Sequence, residues 1–135
     1  MKRIAFIMIS FPLLFAACKK GPGEGGKSKI TGTVWVENYN TINSPFDTYF
    51  LKGEYGGADK DVYLVFGDEI SYGMKTKAGP NGEFEFDYLR PGNYTVYVPS
   101  KDTTRTSVSA VTTMYKEIDL GKKETQDAGK IIIYN

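Results

Sequence analysis

From Lys29 onward, apolar and polar residues alternate with a period of two, the spacing of a strand that buries one face. Ile30, Gly32, Val34 and Val36 share one face of a first strand rich in β-branched and aromatic residues. Asp61–Phe66 is apolar on both faces and predicts a well-covered second strand. Ser71–Lys77 is a more polar third, ending at Gly79-Pro80-Asn81-Gly82. Asn-Gly supplies the positive-φ pair of a tight hairpin, so a β-hairpin is expected there. Phe84-Glu85-Phe86-Asp87 then alternates cleanly. A Pro91-Gly92 turn leads into Asn93–Val98, with Tyr94, Val96 and Val98 on one face. Residues 99–110 are polar and read as a long loop. Met114, Lys116, Ile118 and Leu120 alternate along the next strand, and Gly129–Tyr134 closes the chain. No apolar period of 3.6 is sustained beyond the first residues. These seven segments, 8–15 residues apart, predict an all-β chain: one Greek-key β-sandwich of the Ig-like or prealbumin-like type.

The pattern is different before residue 18. Met1-Lys2-Arg3 is followed by an almost unbroken apolar run over 4–17, shorter than the ~20 residues a spanning helix needs. Two cations, a short apolar stretch and small residues at a boundary make a secretory signal helix. It ends on Phe15-Ala16-Ala17-Cys18. That sequence resembles the lipobox of bacterial lipoproteins, with Phe15 where Leu is usual. The resemblance implies cleavage after residue 17 and acylation of Cys18 (palmitate among the chains), giving a lipid anchor in the cell envelope. Several acyl chains on one residue anchor stably where one is marginal. Lys19 stands where Asp often marks inner-membrane retention, so the outer membrane is expected, on its periplasmic or surface face. Residues 18–28 carry four glycines and Pro22, and read as a flexible tether with an r.m.s. reach of roughly 15–20 Å. The folded domain is expected over 29–135.

Composition narrows the chemistry. The 135 residues contain 17 Lys+Arg, 16 Asp+Glu, one Cys and no His. Loss of residues 1–17 leaves 15 Lys+Arg against 16 Asp+Glu, so no basic field exists for a nucleic acid. Without histidine there is no imidazole base, no Ser-His-Asp or Cys-His arrangement and no imidazole metal site. One cysteine allows neither an internal disulfide nor a Cys-rich zinc site. No catalytic residue, metal or cofactor is therefore assigned.

The succession Ile30-Thr31-Gly32-Thr33-Val34, Asp61-Val62-Tyr63-Leu64, Asn81-Gly82-Glu83-Phe84-Glu85-Phe86 and Leu89-Arg90-Pro91-Gly92-Asn93-Tyr94-Thr95-Val96 resembles carboxypeptidase regulatory-like domains. These belong with prealbumin-like and Cna-B-like sandwiches. The resemblance covers roughly residues 29–134. It implies a non-catalytic module with a structural, docking or adhesive role, and hence an envelope protein partner. Some Cna-B-like relatives form a Lys–Asn isopeptide bond promoted by a buried acid four residues after the tyrosine of the Pro-Gly-x-Tyr segment. Here that position is Val98, Lys29 sits only at the start of the first strand, and Asn135 is suggestive by position alone. The cross-link is not expected.

Two candidate sites remain. Asp59 and Asp61 precede the second strand, and Asp68 and Glu69 follow it. Asp61 and Asp68 lie roughly 23 Å apart at strand rise, too far to share a calcium ion. The chain also holds ten Tyr, eight Phe and one Trp. Trp35, Tyr63 and Tyr97 fall opposite the inward faces of their strands. As neighbours they would form an exposed platform for a protein partner or a glycan. The alternative is cover by residues 38–58, a segment too aromatic for a free loop.

Overall fold

The computed structural model describes residues 20–41, 49–103 and 110–135. The chain is an all-β sandwich of two four-stranded sheets. Its strands are β1 (Glu24–Thr41), β2 (Tyr49–Gly56), β3 (Asp61–Phe66), β4 (Tyr72–Lys77), β5 (Glu83–Leu89), β6 (Gly92–Lys101), β7 (Val111–Leu120) and β8 (Thr125–Tyr134). Sheet A is built around β1. One of its edges pairs antiparallel with β5 over its first half and β2 over its second, and β8 runs parallel along the other. Sheet B has the antiparallel order β4-β3-β6-β7.

The alternation assigned the buried rows. Ile30, Val34 and Val36 of β1, Phe84, Phe86 and Leu89 of β5, and Ile131 and Ile133 of β8 face Val62, Leu64, Tyr94, Val96, Val98, Ile118 and Leu120 from sheet B. Burying one such side chain stabilises by about 1.5–3 kcal/mol, so these facing rows dominate the fold. Gly32 is the small member of the β1 row. A Cβ there would run into the Phe84 ring, which lies across the strand at that point. Lys116 holds an inward register position opposite Val96 and is nonetheless exposed. A charge in the inward row of an edge strand hinders pairing with another chain.

Four expectations are corrected. Among the described residues the strands number eight, because Tyr49–Gly56 pairs with the second half of β1. The glycine-rich stretch read as a tether belongs to the fold: β1 starts at Glu24, and Gly23 and Ser28 are buried. Residues 99–101 continue β6, paired with Thr113, Thr112 and Val111, so the loop before β7 is shorter; residues 104–109 lie outside the described residues. Asn81-Gly82 does not close a hairpin, since β4 pairs with β3 and β5 with β1. It turns the chain from sheet B to sheet A. The Gly82 amide donates to Gly79 O (2.9 Å), and the Val34 amide donates to Gly82 O (2.7 Å). Gly82 has φ +87°, and a Cβ there would meet the Val34 carbonyl. The Asn-Gly signal marked a tight turn correctly; local sequence does not carry the partner of each flanking strand.

Among the described residues, most strand ends gather at one of two poles. The near pole holds the start of β1, the β3–β4 turn, the β5–β6 turn and the β7–β8 turn. The far pole holds the start of β3 and the ends of β4, β6 and β8.

Candidate functional site

Alternation leaves an outer face on each sheet, and those faces receive the three aromatic candidates. Trp35 stands on sheet A. Tyr63 and Tyr97 stand on sheet B, directly opposite each other across β3 and β6. The three do not form one platform. A strand's period decides which side chains face outward, but not which sheet the strand joins.

On sheet B, the Tyr63 and Tyr97 rings stack with centroids 4.9 Å apart and planes 9° apart. Tyr72 of β4 meets Tyr63 edge-on at 4.9 Å and 63°. Lys75, opposite Tyr63 in the β3–β4 ladder, places its ammonium 5.2 Å from the ring centroid. Since β4 and β6 flank β3 on opposite sides, Tyr72 and Lys75 approach Tyr63 from one side and Tyr97 from the other. Tyr115 extends the row onto β7 opposite Tyr97, and is 62% exposed. The result is a four-tyrosine row across the sheet. Desolvation, and then the neighbouring Tyr63 and Tyr72, push the Tyr97 hydroxyl above its ordinary pKa.

Beside the row, Asp61 accepts an ion pair from Lys75 at 3.0 Å, with Lys77 at 3.6 Å. The Lys75 hydrogen bond holds the Asp61 carboxyl below the usual carboxylate range. Tyr72 and Tyr115 were not among the residues singled out from sequence. Tyr115 is an aromatic in the outward phase of its strand, which was the available signal, whereas Tyr72 is in phase with Met74 and joins the row only because the β3–β4 ladder shifts register between Leu64 and Val65.

The outer face of sheet A is organised by charge. Trp35 Nε1 donates to Glu54 (3.0 Å), and the Lys130 ammonium lies 4.0 Å from the indole centroid. Lys29 bridges Glu85 (3.0 Å) and Asp87 (3.1 Å), whose hydrogen bonds raise its pKa. A groove of about 580 Å³ runs along the β4–β5 side, lined by Thr31, Thr33, Lys77, Glu83, Phe84 and Asp127 among others. The described part of residues 38–58 pairs edgewise with β1 and covers neither Tyr63 nor Tyr97; residues 42–48 lie outside the described residues.

Asp59 and Asp61 lie at the far pole, and Asp68 and Glu69 at the near pole. Among the described residues no group of three or more acidic, Cys or His side chains is placed to hold a metal ion. Val98 is 1% exposed in the core, while Lys29 and Asn135 lie at opposite ends of the β1–β8 ladder. Cys18 lies outside the described residues.

No family model matches the chain, and no curated protein matches it. Among solved structures, the chain is similar to a Pseudomonas aeruginosa protein proposed to bind carbohydrate, with a TM-score of 0.44 and 14% identity over 84% of this chain and 91% of that one.

Proposed function

We propose that this chain is a non-enzymatic binding module of the bacterial cell envelope, held at the outer membrane by lipid on Cys18, whose tyrosine row engages an envelope protein. The signal and lipobox-like residues 1–18 support the anchor, and the Leu-x-Pro-Gly-x-Tyr-x-Val stretch supports kinship with carboxypeptidase regulatory-like domains. The observation that carries the protein reading is the packing of the row. Tyr63 has one ring face stacked on Tyr97, with the Tyr72 ring and the Lys75 ammonium as its other neighbours, so little open ring face is left for a sugar. Sugars stack on open ring faces, whereas tyrosine edges and hydroxyls in a pre-packed row suit a protein surface at low ordering cost.

A glycan is the second reading, favoured by the Asp61–Lys75 pair beside the aromatics, which offers both an acceptor and donors for sugar hydroxyls. Crosslinking in intact envelopes tests the first reading: a discrete crosslinked complex should form and be lost in Tyr97→Ala. A glycan panel followed by tyrosine fluorescence tests the second. Saturable sugar binding that Tyr97→Ala abolishes, with no protein complex, would replace the first reading by the second.

A further inference from the structure

The segment after Cys18 is strapped to the near pole. Arg90 Nε donates to Gly21 O (2.7 Å), its Nη2 reaches Pro22 O (3.4 Å) and its Nη1 donates to Glu24 O. The Gly23 amide donates to the Tyr94 hydroxyl (2.8 Å), and the Arg90 amide donates to Gly23 O (2.8 Å). Tyr94 in turn donates to Arg90 O (2.6 Å), with Gly23 O at 3.2 Å as the alternative acceptor. Only three residue steps separate Cys18 from Gly21, a span of at most about 11 Å. A headgroup layer is roughly 5–8 Å thick on each side of the hydrocarbon. A lipid on Cys18 would therefore draw this pole to the headgroups instead of letting the domain float on a long tether.

A second observation agrees with that placement. Among the described residues, the two most exposed large hydrophobic side chains are Ile70 (106%) and Tyr88 (75%). Ile70 lies in the β3–β4 turn and Tyr88 is the penultimate residue of β5, so both stand at the strapped pole. A fully exposed aliphatic and an amphipathic ring are what a membrane interface accommodates. Lys20, Lys27, Arg90, Lys122 and Lys123 are offset there by Glu24, Asp68, Glu69, Asp119 and Glu124. Apolar contact, not charge, is the attraction.

We infer that the near pole is a membrane-contact surface, with Ile70 and Tyr88 set into the headgroup layer and the tyrosine row standing clear of it. This rests on acylation of Cys18. The test uses the mature acylated protein in vesicles of phosphatidylethanolamine and phosphatidylglycerol, with an environment-sensitive fluorophore on Ile70→Cys or on Ala58→Cys. Ala58 lies at the far pole, beyond the ~17 Å length of β3. Spin-labelled lipid should quench the probe at 70 at least several-fold more than the probe at 58. A Gly/Ser spacer of 20 residues inserted between Lys20 and Gly21, which leaves the strap intact, should reduce the difference. Equal quenching at both positions, in protein whose acylation mass spectrometry confirms, overturns the inference and leaves the anchor standing. An unmodified Cys18 overturns both.

Discussion

The two outer faces of the sandwich are built by the same device, cross-strand pairing of side chains, and they reach opposite ends. On sheet A the pairs are of opposite charge. Lys29 holds Glu85 and Asp87, while Lys130 and Glu54 occupy the ring and the Nε1 of Trp35. Each group is satisfied within the face, which is left to water. On sheet B the pairs are tyrosines, with Lys75, Lys77 and Asp61 paired beside the row. Their packing fixes the rings and still leaves Tyr72 and Tyr115 exposed at 47% and 62%. An aromatic residue thus marks a binding surface by what its neighbours leave open: the single tryptophan is the less available of the two candidates.

This contrast can be broken in several ways, beginning with the joint that keeps the faces apart. Gly82→Ala puts a Cβ at positive φ and against the Val34 carbonyl in the β4–β5 crossover. It should cost about 3 kcal/mol or more, read by urea denaturation. Next, Tyr97→Ala should weaken binding of the crosslinked partner by about 2 kcal/mol, roughly 30-fold, the scale of an interface hot spot. Trp35→Ala should leave that binding within a factor of two, while lowering stability by about 1 kcal/mol through the lost ring contacts; a matching loss of binding would put the site on sheet A.

The smallest effect is a pH dependence. The Asp61 carboxyl is lowered in the folded state, chiefly by Lys75, so its contribution is present above the unfolded pKa of about 3.9 and is lost as pH falls through the folded value. The Tm difference between wild type and Asp61→Asn should be largest near neutrality and shrink below about pH 4. A difference that persisted under acid would show that the pair with Lys75 is not its source.

Much of the fold was legible because half-buried strands write their faces into a period of two. The inward rows Ile30-Val34-Val36, Phe84-Phe86 and Tyr94-Val96-Val98 are buried as read, and β3 spans Asp61–Phe66 as read. What was not legible depends on partners distant in sequence. Residues 21–24 have little to bury, and their order comes from Arg90 and Tyr94, 66–71 residues away. The same limit separated Trp35 from Tyr63 and Tyr97: each strand declared its outward side, and only the pairing declared the sheet. β2 was foreshadowed by its aromatic density, but its pairing with the far half of β1 was not.

The most direct test of the sheet B claim is a site-by-site photocrosslinking comparison in the native envelope. A photoreactive residue replaces Tyr115 on sheet B in one protein and Thr33 on sheet A in another, both outward positions. A single partner captured from position 115, absent from 33 and lost when Tyr97→Ala is added, is the predicted result. Capture of the same partner from position 33, with none from 115, would contradict it.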